Sequence, residues 1–388
     1  VLTIERVALH LVQVRRNTGF PTQHVLVELV TANGVGWGEM SDLGHLPSYQ
    51  FDLALLERTL GDLLRGLDAR ERHAIEARLA RAFPDEGHMY SRSGLVRQGV
   101  DLAVIDIIGR DLGLPATAVL GGAIRDRAAV CYPLFRVGPG EPIDPYLATV
   151  ADKVAEGFRL FRLYTGGDLA AERALLEGFR ARFPDCRIKS FDFSNRLDWR
   201  VSLRWTEALA EVAEPELVES ATRRDDLDGM RAFARGSRWP HSEHVVSTSH
   251  AWRLVRHGSV DILNISPYVL GGITPALRVA DFAAIAGIGV LIGTTQELGV
   301  GTAAAAVLAG VVPRLDHPCD NVGPRLYLDD VVVDDRRYEE GHLLVPTSPG
   351  LGVEVDRERV ASLGSGITLG LSMTADELID RRVRAVRP

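Results

Sequence analysis

Apolar and polar residues alternate over Val7 to Val14 and His24 to Val30, and a further short run, Val35-Gly36-Trp37-Gly38-Glu39, follows the turn Ala32-Asn33-Gly34. A period of two sends successive side chains to opposite faces, so the first forty residues predict an antiparallel meander of strands. From Phe51 to Leu120 the period becomes helical, as at Leu53, Leu56, Leu60, Leu63 and Leu64, and at Val100, Val104, Ile107 and Ile108 ahead of Gly109. Pro115 and Gly121-Gly122 break that pattern. The front third therefore reads as an α+β unit.

Beyond Arg127 short apolar runs alternate with amphipathic stretches. Strands are expected at Ala128 to Leu134, Phe158 to Tyr164, Arg187 to Phe193, Glu216 to Glu219, Trp239 to Glu243, Asp261 to Ile265, Gly289 to Ile292 and Arg314 to Asp316, with helices between them such as Ala170 to Arg182 and Thr274 to Ala286. Eight strands in this rhythm predict an α/β fold with a (β/α)8-type barrel. A doubly wound sheet competes, but the GxGxxG loop after its first strand is missing. The tail returns to strand and turn character at Tyr327 to Val333 and Leu343 to Pro346, ahead of Ser348-Pro349-Gly350-Leu351-Gly352.

Composition narrows the function classes. The 388 residues carry 44 Lys+Arg and 52 Asp+Glu, a net charge of −8, and 46% are hydrophobic, which suits a folded chain and speaks against a nucleic-acid partner. Cys131, Cys186 and Cys319 are far apart and in no CxxC spacing, so neither a disulfide framework nor a zinc site is expected, and a cytoplasmic setting is. The opening VLTIERVALHLVQVRR reads as a strand rather than a signal peptide. No apolar run approaches the roughly 18 residues of a membrane span.

Ligands of a βα barrel bind at the carboxyl ends of its strands, and three successive strands end in acids: Asp192, Glu219 and Glu243. Three carboxylates at one mouth repel unless a cation lies between them, and Mg²⁺ prefers such oxygen donors. Alternatively the acids cap the following helices or pair with Arg223 or Arg224.

With these residues in place the chain resembles the mandelate racemase and muconate lactonizing enzyme family of the enolase superfamily. The resemblance rests on GVGWGE (34–39), AVIDIIGRDLGLPATAVLGGAIR (103–125), LGGIT (270–274), GTTQELGVGTAAAA (293–306) and SPGLGVEVD (348–356). It implies a capping domain over 1–125, a modified TIM barrel over 126–325, and a segment, 326–388, that returns to the cap. It further implies a homo-oligomer, dimer or octamer, that abstracts the proton beside a substrate carboxylate with the help of Mg²⁺. Asp192, Glu219 and Glu243 match its three metal ligands.

The sequence also departs from that family. The usual Lys-x-Lys at the end of the second strand is replaced by Arg162 and Tyr164, and the sixth- and seventh-strand bases by Ser266 and Gly293-Thr294. Arg162 stays protonated and so serves as an electrostatic partner. Tyr164 is the candidate base if its pKa is lowered, or else a hydrogen-bonding group. His241, His244 and His317 are candidate acids. Asp316 matches the strand-eight acid that binds an enolate oxygen in part of the family, or pairs with Arg314. Glu297 complements a helix dipole or binds substrate, and Asn195 replaces an Asn expected one residue earlier. Arg15, Arg16, His24 and His45, in or beside the loops 15–23 and 40–49, suit a polar, anionic substrate. Without two opposed bases racemisation is disfavoured. The leading expectation is dehydration of a hydroxy acid or acid sugar. The alternatives are a cycloisomerase or epimerase of the muconate lactonizing branch, and a non-catalytic metal or carboxylate binder.

Overall fold

The computed structural model describes residues 1–45, 52–334 and 337–370. The chain opens with β1 (Ile4–Arg15), β2 (Pro21–Thr31) and β3 (Gly34–Met40), an antiparallel sheet in that order. On it lie α1 (Leu53–Leu64) and the long α3 (Arg92–Leu112), with α2 (Arg72–Ala82) against both helices, followed by the single turn α4 (Ala116–Val119). Ser91 caps α3 by accepting from the Gly94 N–H, and Gly113 ends it in the left-handed conformation at φ 65°. The glycines of GVGWGE have a packing reason. A Cβ on Gly38 would lie 1.8 Å from the Gly99 carbonyl oxygen, and one on Gly36 would lie 2.3 Å from that of Ala103. Strand and helix thus touch backbone to backbone.

Next come β4 (Arg127–Ala129), β5 (Tyr132–Leu134), α5 (Asp144–Ala155), β6 (Leu160–Tyr164), α6 (Leu169–Arg182), β7 (Arg187–Asp192), α7 (Trp199–Ala210) and β8 (Pro215–Glu219). They are followed by α8 (Leu227–Gly236), β9 (His241–His244), α9 (Thr248–His257), β10 (Ile262–Ile265), α10 (Pro267–Leu270), α11 (Ile273–Ala286), β11 (Gly289–Ile292) and α12 (Gly299–Val311). β5 to β11 form one parallel sheet in sequence order, curling into the expected barrel. β12 (Tyr338–Glu339) pairs with β13 (His342–Leu344), which in turn pairs with β4, and α13 (Arg357–Gly364) packs on β1. No helix among the described residues is long and apolar enough to cross a membrane.

Three expected strands differ. Ala128 to Leu134 divides, because β4 turns away to pair antiparallel with β13 and only β5 enters the barrel. The eighth strand is not Arg314 to Asp316. The barrel closes through Asp316 to Asp320, which bonds Val290 and Ile292 on one side and Ala129 and Cys131 on the other without forming a regular ladder. Tyr327 to Val333 makes only isolated bridges at Tyr327 and Val332.

Candidate active site

Asp192 and Glu219 end neighbouring strands as register partners, and Tyr164 is the partner of Asp192 on the other side. Glu243 follows on β9. All three acids are buried. Their side chains face different partners. Asp192 accepts from the Ser194 N–H at 2.7 Å. Glu219 meets His244 Nε2 at 3.0 Å and Asn264 Nδ2 at 3.3 Å. Glu243 accepts from Asn195 Nδ2 at 2.7 Å and Ser220 Oγ at 3.1 Å.

Beneath them lies a charge cluster that sequence reasoning missed. Lys189 Nζ is 2.8 Å from Asp320 Oδ1 and 3.8 Å from Glu219 Oε2. Arg162 Nη1 is 3.3 Å from Asp320 Oδ2 and 3.6 Å from Glu219 Oε1. Two cations thus alternate with two carboxylates, and Cys131 Sγ adds a donor to Asp320 at 3.0 Å. Burial alone would raise the Glu219 pKa, but His244, Lys189 and Arg162 outweigh it and hold the carboxyl below its usual range. Asp192 moves the other way, raised by burial and by the charge of Glu219.

Lys189 eluded the sequence because the pairing of β6 with β7 skips it: Phe161 faces Ile188 and Arg162 faces Ser190. Such an irregularity is invisible in an alternating pattern. Asp320 was missed because the closing strand was placed four residues early. The same slip explains Asp316 and His317. Asp316 accepts from the Val290 N–H, near the start of β11, and pairs with Arg314 at 2.6 Å. His317 approaches Gly289. Both therefore sit at the amino ends of the strands, opposite the mouth, and Asp320 takes the mouth position beside Ile292.

A cavity of about 350 Å³ opens above the acids, lined by Arg16, Tyr90, Arg136, Arg162, Tyr164, Asp192, Ser194, Asn195, Ser220, Arg224, His244, Thr294 and Gln296 among others. Tyr164 is held from several sides. Arg162 Nη2 donates to its oxygen at 2.7 Å, the Arg162 guanidinium lies 4.6 Å from its ring centre, and Phe135 stacks on it at 5.5 Å and 11°. Burial raises the phenol well above its ordinary value and Arg162 only partly offsets this, so the phenol is held neutral. His244 turns Nε2 to Glu219 and leaves Nδ1 buried without a partner. Ser194, Asn195, Ser220 and Gln296 all have positive φ, between 51° and 68°, so strained backbone collects at the strand exits.

Asn195 and Thr294 line this cavity, and Ser266 is buried at the exit of β10 with its hydroxyl unpartnered. Arg15 is exposed at the end of β1, and its neighbour Arg16 reaches the cavity instead, held by Asp42. His24 is buried against Glu39 at 3.1 Å. Glu39 accepts from the N–H groups of Leu298 and Gly301, so this pair ties the cap to the start of α12. Glu297 holds Thr294 Oγ1 and Asn321 Nδ2 and leaves the helix start to Glu39. His241 bonds the Ser259 carbonyl within the core. The backbone of His45 ends the turn Leu43–His45, and its side chain lies outside the described residues.

The donor chemistry fits a hard dication: three buried carboxylates end consecutive strands, and Glu219 Oε2 is buried with no hydrogen-bond donor. As packed, no three His, Cys, Asp or Glu side chains among the described residues ring one point.

Residues 1–121 match the mandelate racemase / muconate lactonizing enzyme N-terminal domain, and residues 146–360 match the enolase C-terminal domain-like family. The chain is 26% identical to a chloromuconate cycloisomerase of Pseudomonas putida, covering 87% of this chain and 90% of that one. It is 28% identical to muconate cycloisomerase 1 of Rhodococcus opacus, over 87% and 89%. A crystal structure of muconate cycloisomerase from Pseudomonas fluorescens superimposes with a TM-score of 0.81 at 26% identity, over 93% and 98% of the two chains.

Proposed function

The chain belongs to the mandelate racemase and muconate lactonizing enzyme family of the enolase superfamily, and from that premise we propose that it is a cycloisomerase that closes a small unsaturated carboxylate into a lactone. Dehydration, the leading expectation from the sequence, gives way because the relatives named above are muconate and chloromuconate cycloisomerases. The observation that carries the proposal is the Tyr164–Arg162 pair, a neutral phenol whose oxygen already accepts from a fixed guanidinium beside strand-end carboxylates.

Asp192, Glu219 and Glu243 would hold the Mg²⁺ that the family implies. When bound, that ion supplies positive charge beside the substrate carboxylate. One substrate carboxylate oxygen adds to the conjugated carbon, the C–O bond forms, and the π pair moves toward the other carboxyl group. Because the Tyr164 oxygen accepts from Arg162, its own O–H is free to give its proton to the α-carbon. Arg162 then stabilises the phenolate until solvent returns the proton. Phe135, stacked on the ring, holds the plane of the phenol.

The test is incubation with Mg²⁺ and cis,cis-muconate or its chloro derivatives in D₂O, followed by NMR. Lactone carrying deuterium at the α-carbon is expected, with a loss of roughly a hundredfold or more in Tyr164→Phe. Full turnover in that variant would remove Tyr164 from the mechanism. If several unsaturated acids bind without cyclising or exchanging, the non-catalytic reading stands instead.

A further inference from the structure

The cavity holds four arginines, and only two are matched by acids. Arg162 is matched by Asp320 and Glu219, and Arg16 by Asp42. Arg136 and Arg224 form no ion pair among the described residues. Arg136 donates through Nε to the Thr165 carbonyl at 2.6 Å and through Nη2 to Ser194 Oγ at 2.7 Å. Arg224 donates through Nη2 to Asn195 Oδ1 at 2.7 Å and lies 3.4 Å from Met89 Sδ, and its Nη1 is buried with no acceptor. The two guanidiniums hold adjacent residues of one strained turn, Ser194 and Asn195, at φ 52° and 58°, just beyond Asp192.

Holding a turn does not require a charge, and it does not account for a buried guanidinium N–H₂ left without an acceptor. Such a group is costly unless an anion completes it. Guanidinium forks match the two oxygens of a carboxylate. We propose that Arg136 and Arg224 form a clamp for a second carboxylate of the substrate, distinct from the one that faces the strand-end acids. This deepens the cycloisomerase reading, on which it rests, by naming the residues that hold the substrate's second carboxyl group. Asn195 joins the clamp to the acids, since its Nδ2 donates to Glu243 while its Oδ1 accepts from Arg224.

The test uses binding alone. Adipate cannot cyclise, and its monomethyl ester keeps the skeleton with one charge removed. Calorimetric titration of both into the full chain with Mg²⁺ should show adipate binding roughly tenfold more tightly or better. Arg136→Gln and Arg224→Gln should each abolish most of that preference and leave the ester within about twofold, and Arg224→Lys should restore part of it. Melting curves identify a variant that has lost its fold, and Arg224→Lys then carries the comparison. Equal binding of the two ligands by the unaltered protein, no binding of adipate, or parallel weakening of both ligands in the variants would overturn the clamp. Adipate selectivity without lactone formation from muconate would leave the clamp standing and remove the cycloisomerase reading.

Discussion

Lys189 and Asp320, 131 residues apart in sequence, meet at 2.8 Å inside the barrel, where neither is reached by solvent. Their bond helps fasten the closing segment to β7, because that segment lacks a regular ladder. Burial would favour a neutral ammonium, but Asp320, Cys131 and Glu219 together outweigh it and raise the Lys189 pKa, so the ammonium stays charged. Removing Lys189 leaves two buried carboxylates, Asp320 and Glu219, sharing the Arg162 charge. Lys189→Met is expected to cost about 3–5 kcal/mol in urea denaturation, with a substantial part recovered in Lys189→Met/Asp320→Asn. A cost below about 1 kcal/mol would show that the seam does not depend on this pair.

Acid should loosen the protein through His250. Its Nδ1 accepts the Val246 N–H at 3.2 Å in the first turn of α9, and burial lowers its pKa to about 4. Below about pH 6.5 the unfolded chain takes up a proton that the folded chain refuses. The stability present above that pH is therefore lost as pH falls toward 4, by about 1.4 kcal/mol per unit and on the order of 3 kcal/mol in total. His250→Asn should show a shallower loss than the unaltered protein in denaturation curves at pH 7 and pH 4.5. Identical slopes would assign the acid sensitivity elsewhere.

Two glycines of the cap should respond oppositely to alanine. At Gly61, within α1, a Cβ meets only Arg65 Nη2 at 3.7 Å, so Gly61→Ala should stabilise by about 0.5–1 kcal/mol. At Gly38 the new atom would enter the Gly99 carbonyl, so Gly38→Ala should cost more than about 4 kcal/mol or prevent folding of the cap. Thermal melts of the two variants decide it.

Mg²⁺ at a hundredfold excess over its Kd should stabilise the protein by about 2.7 kcal/mol. Asp192→Asn, Glu219→Gln and Glu243→Gln should each lose that increment. Glu219 is the most telling, because Lys189, Arg162 and His244 already share its charge. An undiminished Mg²⁺ response in all three variants would place the ion elsewhere.

The architecture and the strand-end acids were legible because each depends on local periodicity and on the spacing of one βα unit. Asp192, Glu219, Arg162 and Tyr164 lie where that spacing put them. What escaped depends on relations between distant strands. A skipped pairing brings Lys189 to Asp320, an irregular closure moves the mouth acid from Asp316 to Asp320, and the packing of Arg136 and Arg224 around one turn follows from loops with no period. The sequence likewise could not show that His24 faces Glu39 and that Glu297 faces Asn321, since both contacts join separate segments. The motifs that carried the family resemblance are largely structural. Asp106 of AVIDIIGRD, for example, accepts from the N–H groups of Trp37 and Leu351 and so joins three of those motifs at one carboxylate.

Glu39 belongs to the cap by chain order and to α12 by its bonds, and Asp330, from the segment that follows the barrel, accepts the Gly299 N–H of the same helix start. The barrel half supplies Asp330 but not the acceptor for Leu298 and Gly301. A chimera spliced between residues 121 and 126 should therefore hold together only when the incoming front half brings a carboxylate at the place of Glu39, which makes this one side chain a gatekeeper for recombination between relatives.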